Sequence, residues 1–522
     1  MVDAMGKSVT VITNKYPSAE SRYQNAFVHT RVLAYQKRGV DVRVIVIDPA
    51  ASKPAETTFE GVSVTHASSE SAGTIIRLVN PGAVAIHFVS QGWFNTLRPE
   101  LVGRKVFIWM HGFEIEAWYR RWFNTDLIPE KINKLLVRRR AAFKNRKQFL
   151  QELAIDEQLD IGFITVSKHF RDHVVAPDSG IPPEAIAVIP NPIQTELFVY
   201  QPKREEQRFQ VLTIRPFTSA AYGNDLLVSA IKKVISKDSS RFHFTIIGDG
   251  EQFESTLSEL RSFPQVTLRQ AFLTPEEIAS EHSRHGIFLA PGRIDSQGVS
   301  RCEAMSSGLV PIANDVAAVA EFIHHEVDGL LAPSEDADAL ASALLRLAED
   351  QELFMRLSTS AAENIRETCS LEGVIDDELS VLFGSGTARQ NAQRFAGVEP
   401  GESTTVSAAE EMDQAFAAAL FAAAQKLRSQ ASVIARLEAS VEKRSQRISA
   451  FEGSFARAKK RQAYLEKELD SAQRQQRELQ AELKELREQK IPWKQHAIEA
   501  VRLVTTAPQR VKNLAKRLTK HS

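Results

Sequence analysis

Two cysteines, Cys302 and Cys369, are all that 522 residues contain. So few exclude a disulfide framework and a zinc cluster of the usual ligand spacing, and they fit a reducing cytosol. An excess of one charge is lacking as well. The 65 Lys plus Arg balance 65 Asp plus Glu, so the whole chain offers no basic footprint for nucleic acid. Long apolar runs are also missing. MVDAMGKSVTVITNKYP holds no stretch of signal-peptide type, and AFAAALFAAA falls short of the ~20 apolar residues that span a bilayer. A membrane would therefore be met from its surface. What is present, 43% hydrophobic and 25% charged residues, suffices for two or three domains, since single cores stop growing near ~250–300 residues.

The first 200 residues alternate strand and helix text: SVTVIT, then AFVHTRVLAYQKRG at helical spacing, VDVRVIVID, AVAIHFV and KVFIWMHG. Runs this apolar read as buried parallel strands. A second series begins near residue 208 with FQVLTI, LLVSAIKKVIS, FHFTIIGDG, QVTLRQ, GIFLAPG and LVPIAND. The fold class expected is α/β, with two Rossmann-like doubly wound domains at 1–200 and 201–371. Proline-rich VIPNPIQTELFVYQPK reads as the hinge, and ligand is expected between the domains, at the carboxyl ends of the strands.

From 385 to 407 the chain is polar and glycine-rich and reads as a linker. Beyond it, at 408–490, Phe416, Leu420, Leu427, Ile434, Leu437, Val441, Ile448 and Phe451 begin one a/d seam. Phe455, Leu465, Leu469, Leu479, Leu483 and Leu486 continue it, for about ten heptads in all. An α-helical coiled coil is expected, pairing with itself or with a partner helix; a single solvated helix would leave the stripe exposed. Gln430, Arg444, Gln462 and Gln476 interrupt the seam and would set register. The tail, 491–522, carries Lys494, Arg502, Arg510, Lys512, Lys516, Arg517 and Lys520 against one acid, Glu499. With Trp493, Val501, Val504, Val511, Leu514 and Leu518 it reads either as an amphipathic helix on an anionic membrane surface or as a basic end that is disordered or docks on its own coil.

The chemistry concentrates in RIDSQGVSRCEAMSSG, residues 293–308, where a loop acid, Asp295, is followed by Gly298 and a helix-borne acid, Glu303. The wider stretch APGRIDSQGVSRCEAMSSGLVPIANDVAAVAEFIHHEVDGLLAP resembles the nucleotide-sugar site of the retaining GT-B glycosyltransferases of the family 4 type, a group of bacterial polysaccharide enzymes. The resemblance runs over residues 7–385, through ITVSKHFRDHVV, IPNPIQTELF and IIGDGEQFESTL. It implies a GT-B fold whose first domain is completed by a C-terminal helix near 372–384, and it assigns roles. Glu303 would accept both ribose hydroxyls, and Asp295 would face the sugar. Gly298 would let backbone amides approach the diphosphate beside Ser296, Val299 and Ser300 at the helix start, while Gly248 would lie near the base. Arg215, in TIRPFTSAAYGNDLL, would grip the diphosphate, and His111, in WMHGFE, would reach sugar and phosphate from the first domain. His111, Asp295 and Arg215 are the catalytic candidates.

Several positions depart from the family pattern. Ala220, Ala221 and Tyr222 stand where a phosphate-binding lysine is expected, and Asp295 where Glu is usual. Asn25, Ala26, Ala317, Ala318 and Ala320 occupy places often held by glycine or proline, leaving Asp315 and Glu321 structural. Glu114 and Glu116 either touch a ligand or open a helix. The expected activity is transfer of a sugar from a nucleotide sugar to a glycan or lipid-linked glycan with retention, in cell-surface polysaccharide biosynthesis. No cofactor, metal or nucleic acid is expected, and the location is cytoplasmic, peripheral on the inner face of the membrane if the tail binds lipid. The alternative is a weak or inactive transferase domain serving as a coiled-coil scaffold in a polysaccharide assembly complex.

Overall fold

The computed structural model describes residues 7–19, 21–22, 24–124, 132–238, 240–397 and 407–455, with 471, 474, 477, 478, 480 and 481 beyond. Residues 1–124 and 143–406 form one compact unit; 125–142 and 407–522 form another.

The first unit is built on two sheets. β1 (Ser8–Thr13), β2 (Asp41–Ile47), β3 (Ala55–Phe59), β4 (Val62–Ala67), β5 (Ala83–His87), β6 (Lys105–Met110), β7 (Asp160–Thr165) and β8 (Ile186–Val188) make an eight-stranded sheet ordered β3-β4-β2-β1-β5-β6-β7-β8. All its pairings are parallel except the β3–β4 hairpin at the edge. Every residue of β5 is buried, because helices cover both faces of a parallel sheet. β9 (Gln210–Ile214), β10 (His243–Gly248), β11 (Val266–Gln270), β12 (Ile287–Ala290), β13 (Val310–Asn314) and β14 (Leu330–Ala332) make the second sheet, ordered β11-β10-β9-β12-β13-β14 and wholly parallel. In each sheet the strand order reverses beside the first strand, at β1/β5 and at β9/β12. Such switch points open a crevice beyond the carboxyl ends of the strands.

The chain crosses between the sheets twice at one place. The Ile193 N–H donates to Cys369 O at 2.7 Å and the Leu371 N–H to Ile193 O at 2.9 Å, so both crossings are hydrogen-bonded together within the proline-rich segment. The helix Leu371–Phe383 then returns to the first sheet and packs on the helix Ala26–Lys37. There Glu378 accepts from Arg31 Nε at 2.7 Å and from the Tyr35 hydroxyl at 2.5 Å, all three fully buried.

The expected linker is corrected over 385–397. A helix, Ala388–Gln393, caps its N-terminus with Thr387 and docks beside β7. The Ala388 N–H donates to Asp160 at 2.8 Å, and a Cβ on Gly162 would lie 2.6 Å from Ala388 O. Polar composition suggested a solvated segment, but Ala388 and Ala392 are small enough for backbone to approach backbone. Residues 398–406 lie outside the described residues.

In the second unit, the helix Ser407–Phe455 buries Phe416, Leu420 and Ile434 of the seam, and Asp413 accepts from Arg140 Nε at 2.9 Å. Most of the seam beyond Phe455, and the basic tail, lie outside the described residues. Among the described residues no helix is long and apolar enough to cross a membrane.

Candidate functional site

β6, KVFIWM, is apolar and buried from Val106 to Met110, and His111–Gly112 form its exit. Glu114 turns back on that exit, and its carboxylate accepts the His111 N–H and, at 3.1 Å, the Gly112 N–H. Burial pushes the Glu114 carboxyl up to about 7. His111 Nε2 lies 2.9 Å from Nδ1 of His87, the last residue of β5, with the rings stacked 5.2 Å apart. Burial, and then the Arg31 guanidinium, hold His111 well below the ordinary histidine range. His87 is held down by burial, by His111 and by Arg31. Two neutral rings so joined must differ in role: one donates its N–H and the other accepts. Phe27 and Phe88 pack on His111, and exposed Phe113 stacks on Phe88. Phe88 takes a φ of 62°, an unusual conformation for a bulky residue.

Arg215 follows β9. Its Nη1 donates to Pro291 O at 2.7 Å and Tyr222 O at 3.3 Å, and the guanidinium lies 5.6 Å from the Tyr222 ring centre. Its Nε is buried with no hydrogen-bond partner among the described residues. Burial brings its pKa down to about 10, which leaves it a cation at neutral pH. Gly248 supports this loop from behind: any Cβ there would overlap the Arg215 carbonyl oxygen. The Arg215 N–H donates to Ile247 O and the Phe217 N–H to Asp249 O, so the IIGDG turn is the rail on which Arg215 is mounted.

The 293–300 loop is tied on several sides. The Asp295 carboxylate accepts from the Gln297 N–H at 3.2 Å and from Arg301 Nη1 at 3.3 Å. Gly298, with φ 84°, caps the helix Val299–Ser306; a Cβ there would overlap the Arg301 guanidinium and lie 2.8 Å from Asp295 Oδ2. The positive φ and the neighbouring Arg301–Asp295 pair both require glycine at this position. Gln297, fully buried, accepts the Asn191 N–H at 2.5 Å and donates to Asn191 O at 3.0 Å, fastening the loop to the crossing segment. The amides of Val299 and Ser300 meet no acceptor among the described residues, as expected of a first helical turn. Glu303 is half-buried, has no side-chain hydrogen bond among the described residues, and is pushed up to about 8 by burial.

His111 from the first domain meets Arg215, Asp295 and Ser296 from the second around a cavity of about 150 Å³. Gly248, Gly298, Val299, Ser300 and Glu303 lie outside its wall. Arg121 and Ile294, which the sequence did not single out, complete it together with Glu116, Ala221 and Tyr222, which it did. Glu116 accepts from Arg121 Nε at 2.5 Å and Nη2 at 2.8 Å. Arg301 and Gln297 were missed although they lie inside the motif; polar residues between two acids carry no mark of burial. Glu321 proves to be a contact between the domains, accepting the N–H groups of Lys168 (2.8 Å) and His169 (2.9 Å). Asn25 and Ala317 adopt the left-handed backbone that favours glycine, at φ 54° and 48°. Asn25 offsets this by donating to Thr13, Asn14 and Lys15 in the loop after β1. Among the described residues no group of three or more His, Cys, Asp or Glu is placed to hold a metal ion.

Comparison with known proteins fits this architecture. Residues 208–350, which hold β9 to β14, match the family model described as glycosyl transferases group 1. The amylovoran biosynthesis glycosyltransferase AmsK of Erwinia amylovora is 28% identical over 324 residues, 59% of this chain and 73% of that protein. The chain spans between 32% and 50% of four further curated relatives. Among solved structures, a sucrose-phosphate synthase of Thermosynechococcus elongatus superposes with a TM-score of 0.56 at 15% identity, covering 71% of this chain and 97% of that one. TarM gives 0.54 at 13% identity, covering 74% and 100%. The two parallel sheets are a GT-B-like fold, and the second of them, within residues 208–350, is similar to glycosyl transferases group 1.

Proposed function

We propose that the crevice binds a nucleotide sugar and transfers its sugar, with retention, to a glycan or lipid-linked glycan in cell-surface polysaccharide biosynthesis. The observation that carries this is the meeting of Arg215 and Asp295, from the second sheet's switch point, with His111 from the first. AmsK, named for amylovoran biosynthesis, and a TarM structure that contains UDP support the class of product and donor. In the reaction the bond from the anomeric carbon to the diphosphate oxygen breaks, and a bond to the acceptor oxygen forms on the same face. The acceptor proton passes to the leaving diphosphate. Arg215 and the Val299 and Ser300 amides stabilise the charge that develops there, and the Glu303 carboxyl, protonated below about pH 8 in the empty crevice, takes the ribose hydroxyls, whose two donors favour its ionised form. Asp295 orients the sugar hydroxyls and is itself positioned by Arg301. Neutral His111 supplies a hydrogen bond to the donor, its tautomer set by His87.

Glu303→Gln is expected to lower glycan extension sharply; an unchanged rate removes Glu303 from the site. The pairing of Asp295 with Arg301 favours a second reading, a weak transferase serving as a scaffold, which predicts no binding of UDP, ADP or GDP. The helix Ser407–Phe455 would supply the scaffold contact by pairing with a second copy. Sedimentation equilibrium decides, and a monomer at all concentrations contradicts it. Cytoplasmic placement at the inner membrane face rests on the basic tail; equal recovery of the protein with anionic and neutral vesicles rules that out.

A further inference from the structure

Two adjacent arginines in WYRRWFN point to different ends. Arg120 is buried against Asp178, to which its Nη2 donates at 2.8 Å. Arg121 breaks the helical turn with φ −109° and ψ 36°, and its side chain, 38% exposed, lines the cavity. Glu116, only 4% exposed, takes its Nε and Nη2 and leaves Nη1 without a partner among the described residues. The pair lies over the turn after His111: a Cβ on Gly112 would sit 3.2 Å from Glu116 Oε1 and 3.4 Å from Arg121 Nη2. The segment Trp118–Asn124 also touches Ala220–Tyr222 of the opposite domain, which brings Arg121 toward the loop that carries Arg215.

We propose that Arg121 is a second phosphate-binding cation, supplied by the first domain and facing Arg215 across the diphosphate. This rests on the nucleotide-sugar reading. A diphosphate brings at least two negative charges into a crevice whose other charged walls largely cancel, since Asp295 is answered by Arg301 and Glu116 by Arg121. Arg215 alone is held by carbonyl groups only. As the bond to the sugar breaks, charge on the diphosphate grows, and a guanidinium fixed by Glu116 meets it without reorganising. Because Arg121 belongs to the other domain, it engages only when the crevice is closed, which couples closure to chemistry.

The test is calorimetric titration of UDP, ADP, GDP and inorganic pyrophosphate into wild type, Arg121→Gln, Arg121→Lys and Glu116→Gln, with thermal melts to confirm folding. Arg121→Gln should weaken the nucleoside diphosphate that binds by about tenfold or more, and leave its parent nucleoside unchanged. Arg121→Lys should recover part of the loss, since it keeps charge without the fork. Glu116→Gln removes a repelling carboxylate and should bind at least as tightly as wild type. Diphosphate affinity within about twofold of wild type in Arg121→Gln would overturn the proposal, as would equal losses in Arg121→Gln and Glu116→Gln. A wild type that binds none of the four ligands sinks the nucleotide-sugar reading and this proposal together. Normal wild-type binding with an indifferent Arg121→Gln sinks this one alone.

Discussion

Gly298→Ala should loosen the 293–303 segment by an amount that can be apportioned. The backbone there has φ 84°, which costs an alanine roughly 1–2 kcal/mol. The new Cβ would also displace the Arg301 guanidinium, which is 1% exposed and bonded to Asp295 and Gln297 O. Stranding those donors adds roughly 1–3 kcal/mol, so the whole change comes to roughly 2–5 kcal/mol. The two thiols of the chain give a local readout. Cys302 lies in the helix Val299–Ser306, Cys369 beside Gln297, and both are free and fully buried. Where opening is in rapid equilibrium, labelling of Cys302 by a thiol reagent follows the open population and should quicken roughly 30- to 5000-fold. In an Arg301→Met background no guanidinium is left to strand, while the dihedral cost and the 2.8 Å approach to Asp295 Oδ2 remain, so a double-mutant cycle should give a coupling of roughly 1–3 kcal/mol. Equal effects of Gly298→Ala in both backgrounds would refute the reasoning.

Glu378→Gln leaves Arg31 charged and buried between two helices, and should cost roughly 3–5 kcal/mol in urea unfolding followed by Trp109 fluorescence; replacing Arg31 and Glu378 together by apolar residues should cost less. Glu321→Ala removes the acceptor of the Lys168 and His169 amides and should weaken the contact between domains by roughly 1–3 kcal/mol, seen as a larger radius of gyration in small-angle scattering; an unchanged profile contradicts it. Burial raises the Glu303 carboxyl from 4.5 to about 8 in the folded state, so between those values the folded chain binds more protons than the unfolded one and stability falls as pH rises. Glu303→Gln should flatten the upper part of that fall, and thermal melts with parallel pH slopes in variant and wild type would argue otherwise.

Much of the architecture is legible in the sequence because the buried parts of parallel strands must be apolar: VFIWM and GIFLAP could hardly be read otherwise. Arg215 and Asp295 could be found from motif position, and the structure sets them in one cavity with His111. The partners that hold them were not legible. Gly298 signals a left-handed turn, yet nothing in the text says that Arg301 fills the space above it. WYRRWFN does not tell which arginine goes to Asp178 and which to the cavity, since that depends on a contact with residues 220–222. The docked stretch 385–397 was misread because composition measures polarity, while Ala388 and Ala392 act through smallness.

The most direct test of the account is calorimetric titration of nucleoside diphosphates into wild type and Glu303→Gln, with Arg77→Gln, an exposed change at the end of the helix Ser69–Val79, as a control. One of UDP, ADP or GDP should bind wild type and the control alike and bind Glu303→Gln at least about tenfold more weakly, because an amide cannot ionise on accepting both ribose hydroxyls and has one acceptor oxygen for the two. Equal affinity in Glu303→Gln and wild type, or no binding of any of the three, would contradict it.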